Sequence, residues 1–130
     1  MGAAHFRELT CWQRSNELKQ EIYAITDAAR AREDRDFCAD ARRAARSAPA
    51  NIAEGFGRCT HREFAHYLSI ARASLIETEN HLQHAFETGW LNADVWSRLV
   101  DLAHQAQKST SGLRAYLLRT PDRTGSTGRV

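Results

Sequence analysis

The segment Ser47-Ala-Pro-Ala-Asn-Ile-Ala-Glu-Gly-Phe-Gly-Arg58 combines strong helix-forming residues with one proline and two glycines. Pro49 lacks a backbone N–H and its ring collides with the preceding turn, so the segment predicts a helix that is kinked there. Asn51 and Glu54 lie three residues apart and share one face of the helix after the proline. We expect the two glycines to end this helix, because glycine adopts a left-handed C-terminal cap without steric cost.

Apolar residues recur at helical spacing in four parts of the chain, and no segment alternates like a strand. The first helix is predicted to begin at Thr10, where Thr10 and Gln13 can form a capping box. The second is predicted over about 36–54, with a thin, alanine-rich apolar stripe. The charged segment 30–36 has no apolar periodicity and is predicted to be a loop or a frayed helix end.

The third and fourth helices carry clear start and stop signals. Thr60 and Glu63 form the capping pattern T-x-x-E, which predicts that the third helix begins just after Thr60. Gly89 is predicted to end that helix, and Asn92 is predicted to cap the fourth. Because the connections are only a few residues long, successive helices should be antiparallel neighbours.

These signals predict an all-α fold, an antiparallel up-down-up-down four-helix bundle over residues 1–119. Residues 120–130 are rich in turn-forming and linker residues and are predicted to form a disordered tail. A chain of 130 residues is the size of one domain. None of its apolar runs is long enough to span a bilayer, so we expect no membrane partner.

The net charge and the cysteines limit the possible partners and the possible location of the protein. The formal net charge is +2, which gives no strong overall field for nucleic acid. Three widely spaced cysteines, Cys11, Cys38 and Cys59, match neither a disulfide framework nor a zinc motif. We therefore expect free cysteines and a cytoplasmic location.

The chain resembles the small four-helix-bundle proteins encoded in intervening sequences of bacterial 23S rRNA genes. The resemblance covers roughly residues 6–118 and starts at Phe6-x-x-Leu9-x-x-Trp12-Gln13. Its most specific block is Arg42-Arg43-Ala44-Ala45-x-Ser47-x-Pro49-x-Asn51-Ile52-Ala53-Glu54-Gly55-x-Gly57-Arg58. The resemblance implies a homo-oligomer, a ring of five bundles, with no settled biochemical activity. Similar bundles serve diversity-generating retroelements as accessory proteins that bind nucleic acid and a reverse transcriptase.

A group of polar and glycine residues forms the first candidate site: Ser47, Asn51, Glu54, Gly55, Gly57 and Glu79. Polar side chains in a bundle need hydrogen-bond partners, and Ser74 is a further member of the expected network. The favoured interpretation is structural, with the network holding the second helix against the third or against a neighbouring subunit. A catalytic carboxylate is the alternative, but the sequence offers it no evident nucleophile or acid–base companion.

A group of arginines forms the second candidate site, for nucleic acid: Arg42, Arg43, Arg46, Arg58 and Arg62. Arginine suits bidentate contacts with phosphate, and a ring assembly would repeat the group several times. The alternative is a solvated helix face on which Glu33, Asp36 and Asp40 neutralise the arginines. No stacking platform or recognition-helix signature strengthens the nucleic-acid interpretation.

Two helical patterns have the spacing of metal ligands. Glu63-x-x-His66 resembles half of a di-iron site, but both side chains point away from the predicted core. His81 and His84 follow Glu77, yet they lack a further partner. The sequence therefore predicts no metal, no cofactor and no enzymatic activity. It favours a homo-oligomeric scaffold or adaptor, with a nucleic-acid-binding accessory protein as the alternative.

Overall fold

The computed structural model describes residues 2–122, which form helices and no strands. A 3-10 turn at Phe6–Glu8 precedes five α-helices: α1 (Thr10–Asp27), α2 (Ala29–Arg32), α3 (Arg35–Phe56), α4 (His61–Glu87) and α5 (Ala93–Arg119). The four long helices pack as a bundle in which α3 contacts α1 and α4, and α5 contacts α4 and α1. The prediction of an all-α protein is confirmed.

Helix direction can be followed between α1 and α5. Arg14 donates to Gln105 and Arg98 donates to Glu21, so the two helices run in opposite directions. Pro49 is buried within α3, which continues to Phe56 as one helix. The complete up-down-up-down order and a kink at Pro49 remain predictions.

Two apolar clusters fill the bundle. The larger one surrounds the alanine-rich face of α3 and contains Leu18, Ile22, Phe37, Ala41, Ala45, Ala48, Leu75, Leu82, Ala85, Leu91, Leu99, Leu102, Ala103 and Ala106. The smaller one lies near the α3–α4 turn and contains Cys11, Ile52, Phe64, Ala65, Leu68, Ala71 and Leu117. Side chains as small as alanine let α3 lie close to its neighbours, as the thin apolar stripe of the sequence predicts.

The helix signals after residue 57 are confirmed. Thr60 Oγ1 accepts a hydrogen bond from the Glu63 amide at 3.1 Å, and Asn92 Oδ1 accepts one from the Val95 amide at 2.9 Å. Gly89 has a φ of +85° beyond the end of α4, where a side chain would be strained. Side-chain caps at Thr60 and Asn92 and the glycine at position 89 therefore fix the two connections between α3, α4 and α5.

The predictions for α1 and for the segment that contains α2 are partly wrong. Leu9 occupies the N-cap of α1 without a side-chain hydrogen bond, and Gln13 donates to the Arg7 carbonyl at 2.8 Å. The predicted capping box of Thr10 is therefore absent, because Thr10 already lies inside the helix. The charged segment predicted as a loop or a frayed helix end begins within the four-residue α2, and Asp34 caps α3 by accepting from the Phe37 amide.

The two signature glycines do not form the left-handed cap that the sequence predicts. Gly57 caps α3 with a φ of −78°, which any residue can adopt. Gly55 is buried inside α3, where a Cβ atom would lie 2.8 Å from both Phe64 Cδ1 and Tyr67 Cβ. Gly55 is required by the close approach of α4, not by backbone conformation.

The predicted tail overlaps the described chain only at its start. Thr120 and Asp122 both contact His61, whose Nδ1 lies 2.7 Å from the Thr120 carbonyl oxygen. Residues 123–130, which hold the rest of the predicted tail, lie outside the described residues.

Candidate functional site on α3 and α4

A half-buried polar cluster joins α3 to α4 at the middle of their contact. The hydroxyl oxygens of Ser47 and Ser74 lie 2.7 Å apart. Asn51 Nδ2 donates to the Ser47 carbonyl at 2.8 Å and to the Ser47 hydroxyl at 3.0 Å. Three side chains that the sequence singles out are therefore brought together, and their internal hydrogen bonds fix how the two helices meet.

Glu54 lies outside this cluster. Its Oε2 accepts a hydrogen bond from Arg58 Nη2 at 2.8 Å, and Arg58 also donates to the Tyr67 hydroxyl at 2.6 Å. The Arg58 guanidinium lies over the Tyr67 ring, 4.8 Å from its centroid. Stacking and hydrogen bonding together hold this arginine against α4 at the end of α3.

Glu79 belongs to a third group, between α4 and α5. One carboxylate oxygen accepts from Gln107 Nε2 at 2.9 Å and the other lies 2.9 Å from His104 Nε2. Burial alone would raise the pKa of Glu79, but hydrogen bonds from Gln107 and His104, with the charge of His104, hold it below its usual range. The single network expected from the sequence is thus divided into three separate groups.

The lowered pKa of Glu79 predicts an acid-sensitive contribution to stability. As the pH falls, Glu79 is protonated in the unfolded chain before it is protonated in the folded chain. The ionised carboxylate therefore stabilises the folded protein near neutral pH. It is lost as the pH falls below about 4.3, the ordinary value for glutamate. We expect urea unfolding to show a smaller loss of stability between neutral and acidic pH in Glu79→Gln than in the unmodified protein. Parallel losses in the two proteins would contradict this assignment.

Two arginines of α3 bind residues of α1. Arg42 donates from Nε to Thr26 Oγ1 at 2.7 Å and from Nη2 to Asp27 Oδ1 at 2.6 Å. Its guanidinium also lies 4.5 Å from the centroid of the Tyr23 ring. Arg46 donates to the Tyr23 hydroxyl at 3.2 Å. These arginines connect α3 to α1, and the charge of Arg42 is already paired with that of Asp27.

The other arginines of the candidate site differ in their partners. Arg43 Nη2 donates to Glu77 Oε2 at 2.5 Å, whereas Arg62 is exposed and has no acidic partner among residues 2–122. The acids expected to neutralise this face, Glu33, Asp36 and Asp40, form no ion pair with these arginines in the described chain. That expectation is wrong, because Asp27, Glu77 and Glu54 are the acids within reach.

The residues whose spacing resembles that of metal ligands have other neighbours in the described chain. His81 Nε2 lies 3.7 Å from the Glu77 oxygen that binds Arg43, and His84 packs its ring against Phe37. Within residues 2–122, no group of three or more His, Cys, Asp or Glu side chains is arranged to hold a metal ion.

Sequence reasoning did not identify the two tyrosines that orient the arginines. Tyr23 receives Arg42 on its ring and Arg46 at its hydroxyl, and Tyr67 receives Arg58 in both ways. In the sequence, both tyrosines lie beside the apolar stripe of their helix, which indicates a position at the edge of the core. It did not indicate their partners, which lie elsewhere in the chain.

A family model described as 23S rRNA-intervening sequence protein matches residues 7–112. The chain belongs to this family. In this member of the 23S rRNA-intervening sequence family, the matched part contains all three polar groups and the five candidate arginines. Among curated proteins, none matches the chain. No helix in residues 2–122 has the length and apolar character needed to cross a membrane.

Proposed function

We propose that this member of the 23S rRNA-intervening sequence family is a non-enzymatic scaffold or adaptor whose copies associate through α3 and α4. The observation that supports this most is Ile76, an aliphatic side chain that is 43% exposed on α4. Ala73 on α4 and Ala50 on α3 are exposed nearby, each within one helical turn of the polar cluster. These positions suit a surface that is covered by another copy.

We define the α3–α4 surface by six residues: Ser47, Ala50, Asn51, Ile70, Ala73 and Ile76. Its side chains are small, aliphatic or amide, and none is charged. The amide and hydroxyl donors at its centre already have partners within the chain, which lowers the cost of removing them from water.

Ion pairs lie on both sides of this surface. Arg43 binds Glu77 beyond one edge, and Arg58 binds Glu54 beyond the other. An uncharged centre with a charged rim is the usual composition of a protein–protein interface. The arrangement supports self-association without any need for metal or cofactor.

The finer features of the proposal come from the family. Five copies are the number that the family resemblance implies, in a ring of up-down-up-down bundles with α3 kinked at Pro49. A cytoplasmic location is supported by the three cysteines, which are all free in the structure.

Light scattering coupled to size-exclusion chromatography tests the assembly. The unmodified protein is expected to elute at several times the chain mass of 14.7 kDa, with five times that mass for a pentamer. Ile76→Glu is expected to elute as a monomer, because a charge would be buried without a partner in the interface. Its free energy of unfolding as a monomer should change little, since Ile76 is an exposed residue.

Leu118→Glu is the matched control. Leu118 is 54% exposed on α5 and lies away from the α3–α4 surface, so this variant should keep the mass of the unmodified protein. A monomeric unmodified protein would refute the proposal, as would dissociation of both variants to the same extent.

The alternative function is a nucleic-acid-binding accessory protein that uses the arginines of α3. Asp27 and Glu77 already offset the charges of Arg42 and Arg43, which weakens this proposal. Arg46 and Arg62 have no acidic partner among the described residues and remain available. We therefore rank the scaffold first.

A further inference from the structure

A cavity lies between the last turns of α1, the short helix α2 and the α4–α5 turn with the start of α5. We call it the α1–α5 cavity. Its volume is about 340 Å³, and small-molecule sites in proteins occupy about 300–1,000 Å³. Ala31, Leu91 and Leu99 in its lining are buried, whereas Ala24 and Ala28 at its edge are exposed. A small molecule can therefore enter from solvent and reach buried apolar side chains.

The lining of the α1–α5 cavity is mostly apolar. Of its ten residues, eight are Ala, Ile, Leu, Val or Trp, and the two charged ones are Glu21 and Arg30. Trp90 in this lining also packs against the buried Phe37, with ring centroids 4.9 Å apart, so its indole is held in place. The body of a ligand must be a hydrocarbon, because a polar body would lose its hydrogen bonds with water.

The two charged residues of the lining differ in their partners. Glu21 pairs with Arg98, whose Nη1 lies 3.3 Å from Oε2 and whose Nη2 lies 3.5 Å from Oε1. Arg30 Nη1 donates to the Gly89 carbonyl oxygen at 3.4 Å, which holds the guanidinium against the α4–α5 turn. The negative charge at the cavity is therefore offset within the chain, and the positive one is available.

Arg30 also lines a second, polar cavity together with Glu33, Asp34 and Asp36. None of these acids forms an ion pair with Arg30 in residues 2–122. Asp34 is instead the N-cap of α3. The guanidinium thus stands at the boundary of an apolar and a polar cavity without a carboxylate partner.

We infer that the α1–α5 cavity binds a small aliphatic monocarboxylate, with its hydrocarbon chain among the apolar walls and its carboxylate on Arg30. A planar guanidinium suits this head group, because it can donate two parallel hydrogen bonds to the two carboxylate oxygens. An amine with the same chain would meet Arg30 as a like charge. The cavity lies apart from the α3–α4 surface, and the inference would hold for a monomeric chain.

Another copy of the chain is the competing occupant, because an exposed aliphatic side chain could fill the same space. Ile76 and Leu118 are the large hydrophobic side chains that residues 2–122 expose. Ile76 belongs to the α3–α4 surface, and Leu118 lies about 28 Å along α5 from Leu99 of the cavity lining. Parallel bundles packed side by side would leave Leu118 far from a neighbour's cavity, which favours a small molecule.

Isothermal titration calorimetry of the full chain tests the inference with three eight-carbon probes: octanoate, octanol and octylamine. We expect one octanoate to bind per chain with a dissociation constant on the order of 0.1 to 1 mM, the range for a ligand of this size. Octylamine should bind at least about tenfold more weakly, because it lacks the charge-assisted hydrogen bonds to Arg30.

Arg30→Gln should weaken octanoate binding by about tenfold and leave octanol binding within about twofold, since the alcohol carries no charge. Arg32→Gln is the matched control. Arg32 is exposed on the same short helix and is not part of the cavity lining, so octanoate binding should change by less than about twofold. Ala24→Phe should abolish binding of both ligands, because its ring occupies the cavity edge. Arg30 and Ala24 are exposed, so both variants should fold normally by circular dichroism.

Three results would overturn the inference. The first is failure of octanoate to bind the unmodified protein, and the second is equal weakening by Arg30→Gln and Arg32→Gln. The third is binding of octanoate to the Ile76→Glu variant but not to the unmodified assembly, which would identify another copy as the occupant. Selective loss of octanoate binding in Arg30→Gln would support it.

Discussion

Gly55→Val is expected to destabilise the bundle by about 2 to 3 kcal/mol, as overpacking a close helix contact does. The new Cβ atom would lie 2.8 Å from Phe64 Cδ1 and 2.8 Å from Tyr67 Cβ. Phe64 can rotate only within a buried cluster, and the Cβ atom of Tyr67 moves only with the backbone of α4. The helices must separate, so the loss should exceed any gain in helix propensity. Urea unfolding followed by circular dichroism measures it.

Gly57→Ala is the control for this experiment. Gly57 has a φ of −78°, and a Cβ atom there would meet only two carbonyl oxygens, at 3.5 and 3.9 Å. We expect a stability within about 0.5 kcal/mol of the unmodified protein, since alanine restricts the unfolded chain at no steric cost. If Gly57→Ala were the more damaging of the two variants, the assignment of Gly55 as the contact glycine would be wrong.

Phe37→Ala is expected to cost about 3 to 5 kcal/mol, the range for removing a buried aromatic ring. Phe37 is 7% exposed near the start of α3. Its ring lies 6.0 Å from that of His81 and 5.4 Å from that of His84, both on α4, and 4.9 Å from that of Trp90 in the α4–α5 turn. One side chain thus connects three parts of the fold. Urea unfolding gives the loss, and the tryptophan fluorescence, to which Trp90 contributes, should change in the folded variant.

Phe6→Ala provides the comparison. Phe6 lies in the 3-10 turn before α1, and its ring packs edge-on against Trp12 at 5.3 Å. It belongs to neither buried cluster, so we expect a loss below about 1.5 kcal/mol, the scale of a single aromatic pair. A loss as large as that of Phe37→Ala would show that stability is not concentrated in the main core.

Features set by short-range chemistry could be predicted from the sequence. Thr60 caps α4, Asn92 caps α5 and Gly89 adopts a positive φ, because each depends on residues within one helical turn. The apolar spacing that predicts four long helices depends on the same local geometry. The predicted start of the first helix at Thr10 is confirmed, but the predicted cap is wrong, because Leu9 occupies the N-cap position.

Features set by distant residues could not be predicted. The sequence marks Gly55 as unusual, but only the position of Tyr67 on α4 shows that close approach is the reason. Arg43 forms an ion pair with Glu77, which is 34 positions later in the chain, and Arg42 forms one with Asp27, which is 15 positions earlier. Nearby acids such as Asp40 looked equally suitable in the sequence. Which of them lies within reach depends on how α3 packs against α1 and α4.

The half of each long helix nearest the α3–α4 turn, with its flanking residues, comprises 2–18, 46–74 and 107–122 and holds nine basic residues against five acids, a net charge of +4. The other described ranges, 19–45 and 75–106, hold seven basic residues against eleven acids, a net charge of −4. This separation of charge affects any ring that these bundles form. In a ring with rotational symmetry about an axis parallel to the helices, every α3–α4 turn faces the same way, so the individual electric dipoles add instead of cancelling. Such a particle has one positive and one negative face. At low ionic strength two particles attract face to face in columns, and salt that shortens the Debye length to about 8 Å separates them.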